Sequence, residues 1–193
     1  MEKRSKEEKV SEYIEKHHDE MMNIPEESRE IKITIPGKPE SYARPRSGRG
    51  HHFYNPKEGK MKSCRAVCMK QLNEEDTEFV KDAVENYQEN YYVEMDVVYY
   101  YQIPQGNTIK ESALKKSNIL KATIKQDLDN FDKFLLDSLH EVLYDDDKHV
   151  VKIKSEKRYD FEPRTELTAK ITKIKLSITQ RINPWACKKT SSC

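Results

Sequence analysis

Residues 91–103 read YYVEMDVVYYYQI. Tyr91, Val93, Met95, Val97, Tyr99, Tyr101 and Ile103 fall on one face at a period of two. Aromatic and β-branched residues with that period form a strand whose one face lies on a core. The tyrosines are packing residues on this reading, not a platform for nucleotides.

Working upstream, Phe79, Val80, Ala83, Val84 and Tyr87 give a helix, with Asn73 placed to cap it ahead of Glu74 and Glu75. Residues 61–72 give another, with Met61, Cys64, Cys68 and Leu72 as its stripe. Ile31, Ile33 and Ile35 alternate with polar residues as a first strand, which Pro36-Gly37-Lys38-Pro39 breaks. Residues 1–24 carry Val10, Tyr13, Ile14, His17 and Met21 at helical spacing up to Pro25. That amphipathic helix must pack on the body or on a partner subunit.

Downstream, residues 104–125 form a basic connector with a helical patch at Glu111–Lys116. Phe131, Phe134, Leu135, Ser138, Leu139 and Val142 then define an amphipathic helix over 131–143. Val151, Ile153 and Tyr159 share a face of the next strand. In the last one Leu167, Ala169 and Ile171 are in one phase and Ile174, Leu176 and Ile178 in the other, so a β-bulge or a break is expected near Thr172-Lys173. The order β-α-β-α-β-β predicts an α+β, two-layer fold with a mixed sheet of about four strands covered by helices. The expected organisation is a helical extension over 1–30, a body over 31–180 and a tail over 181–193.

Charged residues make up 36% of the 193-residue chain and hydrophobic ones 35%, and the formal net charge is +1. No apolar run reaches membrane-spanning length and the N-terminus lacks an apolar h-region, so a soluble, cytoplasmic protein is expected. The balanced total hides strong segregation. Residues 31–70 hold ten basic and two acidic side chains, whereas residues 127–147 hold one basic and eight acidic ones. A fold that gathers the basic blocks on one face binds a polyanion without needing a high pI. Arg44, Arg46, Arg49, Lys57 and Lys60 in the SYARPRSGRGHHFYNPKEGK loop suit phosphates, and Tyr42, Phe53 and Tyr54 suit base stacking. The four cysteines are expected to be reduced. Four thiols, or Cys64 and Cys68 with His51 and His52, would be needed for zinc, but Cys64/Cys68 and Cys187/Cys193 lack C-x2-C spacing.

Aspartates crowd at Asp127-Leu128-Asp129-Asn130 and at Asp145-Asp146-Asp147, flanking the 131–143 helix. With Asn130 as its N-cap, the DLD segment is an extended entry whose two carboxylates share one side. The helix separates the clusters by about 20 Å of rise. They meet only if the chain after Leu143 turns back, for which HVVKIKSEK offers a strand, or if they come together across a dimer. Converging carboxylates repel unless a cation lies between them, and hard oxygen donors favour Mg2+ or Mn2+. Such a site activates water for phosphoryl transfer, and Lys133, one turn beyond Asp129, is placed to meet the developing charge.

The run KQDLDNFDKFLLDSLHEVLYDDDKHVVKI, residues 125–153, resembles the signature of the RusA family of Holliday junction resolvases. The matching elements are Asp127–Asn130, Lys133, Asp137-Ser138-Leu139, and Asp146-Asp147 with Val150, followed by Lys157 in the next strand. The stretch from Gly37 to Lys57 is similar to the family's N-terminal loop, and the likeness covers roughly residues 31–178. It implies a Mg2+-dependent endonuclease, homodimeric, cutting two opposed strands of a four-way DNA junction, with no small-molecule cofactor and no membrane partner. It assigns the metal-binding aspartates to Asp127, Asp129 and Asp147, with Asp146 as acidic neighbour, and the catalytic-site lysine to Lys133. Lys125 and Lys157 join the loop arginines and Lys57 as DNA contacts. Gln126 stands where the family often has Pro, and Asp145 makes a third consecutive aspartate, so the register of the pair is open.

Two other classes compete. A DxD-type sugar-nucleotide or nucleotidyl transferase would use the same metal, but the chain has only five glycines for a nucleotide pocket. A non-catalytic DNA-binding phage or prophage accessory protein would keep the basic loop but has no need of Asp127, Asp129, Asp147 and Lys133 together.

Overall fold

The structure, a computed structural model, describes residues 5–47 and 53–176. Helix α1 (Lys6–Met22) opens on a capping box between Ser5 and Glu8. Strand β1 (Glu26–Pro36) follows, then a two-residue antiparallel pair, β2 (Arg46–Ser47) with β3 (Phe53–Tyr54). Helices α2 (Glu58–Met69) and α3 (Glu74–Asp82) lead through a π-turn at 83–87 into β4 (Tyr91–Gln102). Helices α4 (Ile109–Lys116) and α5 (Leu128–Leu139) cross over to β5 (Val150–Asp160) and β6 (Arg164–Ile174).

The sheet is mixed, in the order β1-β6-β4-β5. Strand β6 runs antiparallel to both neighbours, and β5 lies parallel to β4 at an edge. The period-two face of β4 is the centre of the core, from Tyr91 through Tyr101. Helices α2 and α5 cover that face, and Phe131 of α5 meets the Tyr99 and Tyr101 rings at 5.2 and 5.8 Å. The result is the two-layer α+β arrangement expected from the sequence. Among the described residues no helix is long and apolar enough to cross a membrane.

Three local expectations are corrected; that of α1, to pack on the body or on a partner subunit, is not among them. Strand β1 begins at Glu26, because Glu26–Glu30 continue the ladder to β6, so residues 26–30 belong to the sheet and not to the extension. No residue of α1 is buried, and Tyr13, Ile14 and Met21 are 40–44% exposed. On β5 a register shift beside Val93/Glu94 turns Val151 outward, 62% exposed, so that Val150 and Ile153 face inward instead. Strand β6 has no bulge. It keeps register to Ile174, and the phase change reflects Thr172 and Lys173, which are buried through polar partners. Thr172 bonds to Ser28, and the Lys173 ammonium reaches Asp82 at 2.7 Å over the Phe79 ring.

Cys64 and Cys68 are free, buried in α2 as part of its core stripe. Among the described residues no three His, Cys, Asp or Glu side chains gather closely enough to hold a metal. Arg49, His51 and His52, and the tail with Ile178, Trp185, Cys187 and Cys193, lie outside the described residues.

Candidate functional site

Helix α5 organises the acidic residues. It starts at Leu128, three residues earlier than expected, with Asp127 as its N-cap. Aspartate is itself a favoured N-cap, and Asp129 in the first turn complements the helix dipole, so the start moves forward from Asn130. Asp127 and Asp129 are both exposed. The Asp127 side chain makes no cap hydrogen bond, which leaves its oxygens turned to solvent.

The helix also ends early, at Leu139. His140 is extended and Glu141 takes φ 65°, and this turn buries Val142, Leu143 and Tyr144, which a continued helix could not all do. Arg65 of α2 holds the turn through the Glu141 carboxylate at 2.8 Å.

The three consecutive aspartates now separate by role. Asp145 accepts a short hydrogen bond from Tyr91 and faces the Nε2 of buried His149 at 3.3 Å. His149 stacks on the Tyr91 ring at 3.9 Å, and its Nδ1 lies 3.2 Å from the Tyr91 carbonyl. Asp145 thus anchors the turn to the sheet. Asp146 caps the following 3-10 turn, and the Lys148 N–H it accepts holds its carboxyl below the usual range. Asp147 is exposed. It lines a cavity of about 390 Å3 with Asp137, His140 and Asp146. Burial pushes the Asp137 carboxyl up; Lys133 opposes this and Asp147 adds to it.

Asp147 therefore sits with the last turn of α5, whereas Asp127 and Asp129 sit at the first. Asp129 to Asp137 alone is about 12 Å of helical rise. The chain does turn back, as one alternative required, but what it returns is later sequence. Ser155 of β5 donates to Asp132 at 2.7 Å, and Lys157 reaches the Gln126 carbonyl at 3.0 Å. Strand β5 brings Lys157, not Asp147, to the DLD segment.

The basic residues divide similarly. Lys133 projects from the middle of α5 with its ammonium 4.1 Å from the centre of the Tyr42 ring. The Tyr42 N–H donates to the Asn130 carbonyl at 2.7 Å, so the basic loop is tied to the first turn of α5. Arg44 and Arg46 follow that anchor and are exposed, as is Lys125. Lys57 and Lys60 both pair with the half-buried Glu40.

Sequence reasoning did not find Tyr42 as the seat of Lys133, nor Asp132, which receives both Tyr99 at 2.8 Å and Ser155. It also passed over Glu40. The available signal was that Glu40 is one of only two acids in the basic block 31–70.

Carboxylates thus stand at both ends of α5, with Lys133 between them and the basic loop tied to its first turn. The family Endodeoxyribonuclease RusA matches residues 36–170, and the chain belongs to that family. It is also 38% identical over 77 residues to the uncharacterized protein YqaN of Bacillus subtilis (strain 168). That match takes in 39% of this chain, which spans about half, 54%, of the relative's length.

Proposed function

We propose that the protein is a Mg2+-dependent endodeoxyribonuclease, Mn2+ serving as well, that resolves four-way DNA junctions in recombination and repair in the cytoplasm. The observation that carries the reading is the position of α5, with Asp127 and Asp129 at its start, Lys133 in its middle and Asp147 in the turn near its end. Within one chain the two groups stand apart. We therefore assign the working unit to a homodimer in which Asp127 and Asp129 of one subunit are completed by Asp147 of the partner subunit. A two-fold assembly offers two matched sites to a symmetric junction.

The donors are exposed carboxylate oxygens, the type that suits Mg2+ and Mn2+. When bound, the ion supplies an acidified water and charge stabilisation for in-line attack on phosphorus. Asp127 and Asp129 would hold it and Asp147 would complete the set, with Asp146 as neighbour. Lys133 meets the charge that develops on the phosphoryl oxygens, and Arg44, Arg46 and Arg49 with Lys125 track the backbone. Lys157 contributes by fixing the Gln126 carbonyl and so the entry to α5.

The test is cleavage of a labelled synthetic four-way junction beside linear duplex of the same sequence, with and without Mg2+. Paired, symmetric, Mg2+-dependent nicks in the junction alone support the proposal. Equal cutting of duplex reduces it to a general nuclease, and tight junction binding without cutting moves it to the accessory-binder alternative. Mixing Asp127→Asn with Asp147→Asn then tests the shared site. Two inactive variants regain nicking only if one intact site forms in each mixed dimer.

A further inference from the structure

Beside the DLD segment lies a concavity of about 210 Å3, and its wall is unusually rich in lysine. Lys38, Lys57 and Lys60 line it together with Glu40, Ser41 and Gln126, over a floor of Tyr101 and Phe131. Lys57 is half-buried, whereas Lys60 reaches in from the exposed rim. Both ammonium groups close on the two oxygens of the Glu40 carboxylate, one on each. The Glu40 side chain is only 26% exposed and that of Lys57 only 27%. Burial pushes the Glu40 carboxyl up, but the two lysines outweigh it and hold its pKa below the ordinary value. The pocket therefore keeps an internal counterion where three lysines would otherwise repel one another.

That arrangement has the form of an anion site already filled by the chain's own carboxylate. A carboxylate and a phosphodiester are both oxygen acceptors of one negative charge, and lysine ammonium groups serve either. Gln126 contributes to the same wall and immediately precedes Asp127, so an anion exchanged into the pocket would be a backbone phosphate next to the proposed cleavage site.

We propose that the Lys38–Lys57–Lys60 pocket is a subsite for a DNA backbone phosphate, and that Glu40 masks it until a strand is seated there. The inference rests on the proposed reading of the protein as a DNA-cutting enzyme. Masking makes non-specific duplex a poor ligand, because seating the phosphate must first break two ion pairs. A junction arm held by the rest of the surface supplies that cost, so Glu40 contributes to selectivity.

The experiment measures equilibrium binding of the full-length protein to a fluorescent four-way junction and to duplex of equal length, without Mg2+, over a salt series. Glu40→Gln is expected to bind duplex about tenfold tighter at low salt. Its log–log salt slope should steepen by about one, the value for one additional neutralised phosphate. In a Lys57→Ala/Lys60→Ala background the same Glu40→Gln change is expected to have no effect. Two outcomes overturn the proposal. One is Glu40→Gln binding like wild type. The other is a gain that persists without the lysines, since that is a general field effect of one lost charge. If the wild-type protein binds neither DNA, it is the functional reading itself that fails.

Discussion

Lys133 and Tyr42 come from segments about ninety residues apart, yet the Lys133 ammonium lies 4.1 Å from the centre of the Tyr42 ring. Tyr42 is itself held through its N–H to Asn130 on the same helix. Lys133 is therefore positioned by the loop that carries Tyr42, Arg44 and Arg46. A cation–π contact at an exposed site contributes about 1 kcal/mol. Tyr42→Ala should lower turnover about fivefold with a smaller change in junction affinity, and Tyr42→Phe should retain most of it. Single-turnover rates beside Kd values check this.

Asp145 and Asp147 should fail in different ways. Asp145→Ala leaves the buried Tyr91 hydroxyl without its acceptor, which costs about 1–3 kcal/mol. It should lower the thermal midpoint while molecules still folded keep much of their activity. Asp147→Asn should leave the midpoint in place and reduce cleavage at least 100-fold, the order for losing a strong electrostatic element. Asp127→Asn should match it. Calorimetry and junction cleavage on the same preparations separate the two classes.

Arg44 and Arg46 are exposed and follow directly on the Tyr42 anchor. The Arg44→Ala/Arg46→Ala double variant should bind junctions more weakly, with a salt slope shallower by up to about two. A slope equal to wild type would remove the loop from the DNA surface.

Asp160 predicts the acid limb of stability. Burial raises its carboxyl pKa, but Lys116, Arg164 and the Phe161 N–H outweigh burial and bring it from 3.8 to about 2. The folded value lies below the unfolded one, so the stabilisation is present above about pH 4 and is lost as pH falls towards 2. The shift corresponds to about 2 kcal/mol. Asp160→Asn should flatten urea-measured stability between pH 4 and 2 and lower it at neutral pH.

The sheet was legible because β4 carries an uninterrupted period of two, buried at every expected position from Tyr91 to Ile103. The stripes of α2 and α3, and the Asn73 cap, were legible for the same local reason. What escaped was non-local. Val151 looks like a core residue in sequence, and only a register shift against β4 turns it outward. Lys157 reads only as a basic strand residue in sequence, and its bond to the Gln126 carbonyl across the helix entry comes from the fold. The family signature singled out the aspartates but could not say which of Asp145, Asp146 and Asp147 is tied to the sheet. Asp145 is, through Tyr91 and His149, which lie more than fifty residues apart in sequence. Helix α5 ended early because Val142, Leu143 and Tyr144 bury better from a turn, a preference no helical period expresses.

The length of α5 has a cellular consequence on the proposed reading. A rigid spacer keeps each newly made chain chemically incomplete, so cutting should rise as the square of protein concentration when dimers are scarce. A cell holding few copies would carry an inert protein beside an intact chromosome. Only accumulation, or local crowding on one branched DNA, would arm it.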